Sequence, residues 1–194
     1  MMVKVCGITN RDDAMSAVDA GASAIGFNFY RASPRYISHT GAAMIAEKIP
    51  GNVWKVGIFV NEQPETIARC VLDASLDIVQ LYGSSEARGV RVWRACRITD
   101  SLEGFLSDDS VEAVLVDSPS LDLYGGTGNT FDWSRAQGIS KKTIIAGGLD
   151  ASNVRIAIEQ AQPWGVDACS SIEKSPGIKD HEKMTKFVKA ALGL

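Results

Sequence analysis

Residues 3–29 read VKVCGITNRDDAMSAVDAGASAIGFNF. The stretch opens on a short β-branched run, VKVC (3–6), and passes through RDDAMSAVDAG (11–21), whose apolar residues recur at three- and four-residue spacing. It closes on a second apolar run, AIGFNF (24–29). Strand, helix and strand in that order make a βαβ unit, and the two strands of such a unit lie parallel. Outward from it, further strand-like runs follow at VWKVGIFV (53–60), DIVQLY (77–82), VRVWRAC (90–96), EAVLVD (112–117), TIIAG (143–147) and GVDACS (165–170), most of them separated by helix-like stretches. Eight strands alternating with helices point to a closed (β/α)₈ TIM barrel of the α/β class, a compact single domain over residues 1–194. An open doubly wound sheet is the alternative. The fourth helix is cut to SSEARG (84–89), which predicts a gap in the outer ring.

Composition narrows the function. Twenty Lys and Arg against 23 Asp and Glu give a net charge of −3, with the basic residues scattered, so the footprint of a nucleic-acid binder is missing and an anionic ligand has to be held by a local pocket. The chain opens on MMVKVCGI and runs straight into a strand pattern, without a secretory leader or a membrane-spanning run, so a cytoplasmic location is expected and a membrane partner is not. Cys6, Cys70, Cys96 and Cys169 are too far apart for a zinc motif or a disulfide scaffold, which predicts free thiols and no metal site. Cys70 and Cys96 sit among apolar neighbours and read as small core residues. His39 and His181 fall in polar segments and read as surface residues, leaving general-base work to another side chain.

Strand alternation selects the candidates. If Val3 and Val5 pack outward against helices, Lys4 and Cys6 point into the barrel; if Val114 and Val116 do the same, Leu115 and Asp117 point inward. Lys4, Cys6 and Asp117 are therefore expected to share one interior, where an inward lysine needs a partner or a task. A thiol and a carboxyl at one mouth form an acid/base pair, although Asp117 alone, just before Ser118 and Pro119, reads first as a turn carboxylate.

Loop lengths say which face is productive. Helix-to-strand connections are short, as in GAS (21–23) and PGN (50–52), whereas RASPRYIS (31–38) and SPSLDLYGGTGNT (118–130), which follow strands, are long. Gly147 and Gly148 after the seventh strand, and Cys169 and Ser170 after the eighth, occupy the recurrent phosphate site of such barrels. GGTG (125–128) lacks the lysine of a P-loop and reads as a ligand-closing loop.

These residues together resemble the phosphoribosylanthranilate isomerases of tryptophan biosynthesis. The likeness runs in order through VKVCGIT, GFNFYRASPRYIS, KVGIFVNE, DIVQLYG, VDS, GGTGNTFDW, IIAGGLDASNV, GVDACSSIE and SPGIKD, nearly the whole chain. It implies an Amadori rearrangement of N-(5-phosphoribosyl)anthranilate to 1-(2-carboxyphenylamino)-1-deoxyribulose 5-phosphate, without a cofactor, on a small-molecule phosphosugar. By the resemblance Cys6 is the general base, Asp117 the general acid and Arg35 the partner of the anthranilate carboxylate, with Gly147, Gly148, Cys169 and Ser170 in the phosphate-binding loops. Tyr82 stands where the family commonly has histidine, and Cys169 and Ser171 replace the first serine and the glycine of an SSG stretch. A monomer or a homodimer is expected.

Two other classes share parts of this pattern. An indole-closing phosphosugar lyase would need an inward lysine, with Lys4 or Lys55 in that role, and an inward glutamate. A catalytically silent phosphosugar-binding scaffold would have no use for both Cys6 and Asp117.

Overall fold

The computed structural model describes residues 1–118 and 130–194. Eight parallel strands close on themselves in sequence order, which excludes the open sheet. They are β1 (Met2–Val5), β2 (Ala24–Asn28), β3 (Trp54–Val60), β4 (Ile78–Tyr82), β5 (Arg91–Arg97), β6 (Val111–Asp117), β7 (Lys142–Ile145) and β8 (Gly165–Ala168). Closure is made between β1 and β8, with Val5 opposite Ala168. Outside the wall lie α1 (Arg11–Ala20), α2 (His39–Ala46), α3 (Pro64–Asp73), α4 (Glu103–Ser107), α5 (Val154–Ala161) and α6 (His181–Leu192). A small antiparallel hairpin, β9 (Glu173–Ser175) and β10 (Ile178–Lys179), stands between the last barrel strand and α6.

The helices begin where side chains satisfy their free N–H groups. Asn10 caps α1 by accepting from the Asp13 N–H at 2.9 Å, and Asp180 caps α6 by accepting from Glu182 and Lys183. The period of two along each strand then sorts the apolar residues into two layers. Val3, Val5, Val114 and Val116 join the layer between wall and helices, while Cys6, Val56, Ile58, Trp93, Leu115 and Ile144 fill the barrel interior.

The outer ring departs from the expected pattern at two places. The SSEARG segment holds no helical turn at all, so the fourth helix is missing and not merely shortened. Six residues cannot repay helix nucleation, and their polar groups are met otherwise: Arg94 Nη1 donates to the Ser85 carbonyl at 2.7 Å, and the Ser85 hydroxyl accepts from the Glu62 N–H at 2.7 Å. Between β6 and β7, where strand–helix alternation expects a helix, the described residues hold a 3₁₀ turn, Trp133–Ala136, capped by Asp132. The GGTG segment lies outside the described residues.

Candidate active site

β1 ends with Cys6 just above Lys4. Lys4 is fully buried and pairs with Asp167 of β8, Nζ to Oδ1 at 2.9 Å. Burial by itself lowers an ammonium's pKa, but the charge of Asp167 and the thiol of Cys6 outweigh it, and Lys4 stays protonated far above neutrality. The inward lysine predicted from alternation thus has a partner. The Cys6 thiol is held well below the ordinary cysteine range by a hydrogen bond from Cys169 and by the positive charges of Lys4 and Lys179, against the opposing effect of burial.

Asp117 ends β6 and faces the same space. Its Oδ1 accepts from the Ser118 N–H at 2.7 Å, the geometry of the turn carboxylate that a reading of the residue alone suggests. Burial nevertheless pushes its pKa up to about 6, with the Ser118 hydrogen bonds opposing and the charge of Cys6 adding to the rise. The turn fixes the carboxyl group, and its burial raises its proton affinity.

Two glycines let the backbone close around these groups. Gly7 has φ +74°, and a Cβ there would come within 2.9 Å of both Arg35 Cδ and Cys169 Sγ. Gly147 has φ +86°, and a Cβ would sit 2.7 Å from Asp117 Oδ1 and from the Ser118 N and Oγ. The Gly-Gly pair therefore also makes room for the carboxyl group.

Cys6, Asp117, Arg35, Gly147, Gly148, Cys169 and Ser170 all line one cleft of about 110 Å³ at the carboxyl ends of the strands, partly open to solvent. Arg35 is reached through the loop after β2 and is fixed by a bidentate pair with Glu173, from Nε at 3.0 Å and from Nη2 at 2.8 Å. Lys179 of β10 donates to the same carboxylate at 2.9 Å and to the Cys169 carbonyl at 3.0 Å. Asp167, Glu173, Lys179 and Gln80 are the buried polar residues of the site that the sequence reading passed over. Asp167 could have been found by alternation, since Val166 packs outward; Glu173 and Lys179, on a hairpin beyond the barrel, left no such trace.

The departures from the family pattern are absorbed locally. Ser171 needs no left-handed backbone, and its hydroxyl donates to the Leu149 carbonyl, tying the loop after β8 to the loop after β7. Tyr82 is buried in the cleft wall with its hydroxyl 3.3 Å from Gln80 Nε2. Lys55 does not enter the barrel; it stands on the outward side of β3, paired with Asp77 at 2.9 Å, which removes it as an inward acid. His39 opens α2 and pairs with the half-exposed Asp73, and the exposed His181 opens α6 and pairs with the buried Asp13.

An eight-stranded barrel with a depressed thiol, a raised carboxyl group and glycine loops at the carboxyl-terminal face has the make-up of a class, the acid/base enzymes of phosphosugars. The comparisons give the family. The profile of N-(5'-phosphoribosyl)anthranilate (PRA) isomerase matches residues 3–190. An N-(5'-phosphoribosyl)anthranilate isomerase of Solibacter usitatus is 50% identical over 202 residues, covering 100% of each chain. The crystal structure of the phosphoribosyl anthranilate isomerase of Thermotoga maritima superposes with a TM-score of 0.91 at 38% identity over 100% of both chains. Another phosphoribosyl anthranilate isomerase, solved with reduced 1-(o-carboxyphenylamino)-1-deoxyribulose 5-phosphate, gives 0.87 at 36%, again over 100% of both. The chain belongs to the phosphoribosylanthranilate isomerase family, and its reaction is the conversion of N-(5-phosphoribosyl)anthranilate to the carboxyphenylamino-deoxyribulose phosphate in tryptophan biosynthesis.

Proposed function

We propose that Cys6 and Asp117 divide the proton transfers of this isomerisation. The reaction begins with a proton delivered to the furanose ring oxygen, which breaks the C1–O bond and leaves an iminium between C1 and the anthranilate nitrogen. Asp117 is the donor: a carboxyl with a pKa of about 6 keeps a protonated fraction near neutrality, and the substrate's phosphate and carboxylate raise that fraction. Cys6, as thiolate, then takes the C2 proton. The electrons of the C2–H bond form the C1–C2 double bond and neutralise the iminium, and the resulting enolamine tautomerises to the ketone. Lys4 acts through Cys6: its buried charge favours the thiolate without touching the substrate.

The observation that carries this assignment is the opposite displacement of the two groups in one cleft, a thiol shifted down and a carboxyl shifted up. Backbone N–H groups of Gly147, Gly148, Cys169 and Ser170 are assigned to the phosphate, and Arg35, held flat against Glu173, to the anthranilate carboxylate. The whole chain, 1–194, works as one domain in the cytoplasm, as a monomer or a homodimer. Among the described residues no helix is long and apolar enough to cross a membrane.

Loss of phosphoribosylanthranilate fluorescence under steady-state conditions tests the assignment. Cys6→Ala should lower kcat by about 10²- to 10⁴-fold, the usual worth of a positioned base, with a much smaller change in KM. Turnover within a few-fold of the parent would remove Cys6 from the mechanism. Arg35→Ala should raise KM by at least about ten-fold, in keeping with loss of a charged hydrogen bond; an unchanged KM would assign the carboxylate to another residue.

A further inference from the structure

Cys169 is a second thiol beside the base, at a position where the family pattern has a hydroxyl. Val5 and Ala168 are register partners across the β1–β8 seam, and the Cys6 N–H donates to the Ala168 carbonyl at 2.9 Å. The next residues along the two strands are Cys6 and Cys169. Neighbouring strands run about 4.7–4.9 Å apart, inside the Cα separation of roughly 4.4–6.8 Å that a disulfide spans. Both side chains open on the same cleft, and their thiols hydrogen-bond to one another.

We propose that Cys6 and Cys169 form a reversible disulfide under peroxide, making the active site a redox-modification site that switches the enzyme off. Loss of activity on closure rests on the reading of Cys6 as the base; formation of the bond does not. The Cys6 thiolate attacks one oxygen of hydrogen peroxide, the O–O bond breaks, hydroxide leaves, and Cys6 becomes a sulfenic acid. Once Cys6 is an uncharged sulfenic acid, Cys169 gives up its proton beside the Lys179 ammonium and attacks that sulfur as a thiolate; the S–O bond breaks, and the departing hydroxide takes up the proton as water. Two cysteine sulfurs are oxidised by two electrons while one peroxide is reduced to water and hydroxide.

The surroundings favour Cys6 as the attacking sulfur and Cys169 as the resolving one. Lys179 Nζ stands 3.9 Å from Cys169 Sγ, and the Cys169 thiol keeps its proton because the hydrogen bond and negative charge of Cys6, with burial, raise its pKa. The other two cysteines serve as internal controls. Burial pushes Cys70 up to about 11 and Cys96 up to about 12, so neither offers a thiolate at neutral pH.

The test treats the intact protein with hydrogen peroxide, blocks remaining thiols, digests without reductant and maps the peptides by mass spectrometry while activity is followed in parallel. The expected product is a Cys6–Cys169 cross-linked peptide, two hydrogens lighter than its parts, formed as activity falls by about ten-fold or more through loss of the base and reversed by dithiothreitol. In Cys169→Ser, measured against its own untreated rate, the cross-link is absent, dimedone labels Cys6, and continued peroxide drives Cys6 to sulfinic acid that dithiothreitol does not reduce. Cross-links to Cys70 or Cys96, over-oxidation of Cys6 in the parent without a cross-link, or no oxidation at all would overturn the proposal. A cross-link that forms while activity persists would uphold the bond and refute Cys6 as base. Should Cys169→Ser fail to fold, the parent's peptide map decides alone.

Discussion

At the amino-terminal end of the barrel strands Trp54, Trp93 and Trp164 meet ring against ring, with centroids 5.9–6.3 Å apart. Arg91 lies over Trp54 and Lys142 over Trp164, and the two cations share the Glu112 carboxylate. At the carboxyl-terminal end the same barrel holds Asp117 and Asp167 with pKa values raised to about 6 and about 7, a depressed thiol and a buried lysine. One end pairs its charges around packed rings; the other holds its groups away from their ordinary protonation states. The difference teaches where this chain spends stability, since the raised pKa values of Asp117 and Asp167 are a folding cost at neutral pH that the plugged end has to offset.

The largest expected effect breaks the comparison from the catalytic side. Asp117→Asn should lower kcat by about 10²- to 10⁴-fold while leaving the fold intact. Its stability signature is specific. The folded carboxyl titrates at about 6 against an ordinary 3.8, so folding favours the protonated form and the parent loses stability as pH rises through that window. Denaturant titrations of the Asn variant between those two pH values should lack that part of the slope; a slope unchanged from the parent would show that Asp117 is not displaced.

Trp93→Ala attacks the other end. Trp93 is fully buried at the centre of the plug, and its removal should cost about 3–5 kcal/mol of stability. The folded fraction, measured by active-site titration, should keep its KM and kcat. A large fall in kcat per folded molecule would mean the two ends are mechanically coupled.

Much of this arrangement was legible in the chain because alternation along a strand is local. VKVC and AVLVDS each place their inward residues without reference to anything distant, and so Cys6, Lys4 and Asp117 could be assigned to one interior. Partners could not be read the same way. Asp167 is 163 positions from Lys4, and nothing within GVDACS says that its carboxylate meets an ammonium. Glu173 and Lys179 act from a hairpin that belongs to no βα repeat. The missing fourth helix was visible only as a short segment; that Arg94 and Ser85 fill its place is a tertiary fact.

The Lys4–Asp167 pair sharpens the comparison, because it is paired like the lower end yet sits beneath Cys6. Lys4→Met leaves Asp167 buried and alone, and a broken buried pair costs about 3–5 kcal/mol, so the informative variant is the double replacement Lys4→Met/Asp167→Leu, which restores an apolar match. With the ammonium gone, the rising limb of the kcat/KM pH profile, which reports ionisation of Cys6, should move upward by about one pH unit. Stability near the parent's with an unmoved limb would reduce Lys4 to a packing residue.

The smallest effect belongs to the lower rim. Glu112 is held down to about 2 by the hydrogen bond from Arg91, with burial opposing and Lys142 assisting. A depressed carboxylate lends stability that is present above its ordinary 4.5 and is lost as pH falls towards 2. Arg91 and Lys142 are more than a third exposed, so solvent and salt screen the network and Glu112→Gln should cost no more than about 1 kcal/mol at neutral pH. Acid unfolding of the Gln variant should be correspondingly flatter over that window, and isomerisation at neutral pH should not change. A catalytic defect from so distant a rim charge would contradict the division of labour between the two ends, since the paired charges of the plug have no path to the reacting atoms except through the packed interior of Trp93, Leu115 and Ile58.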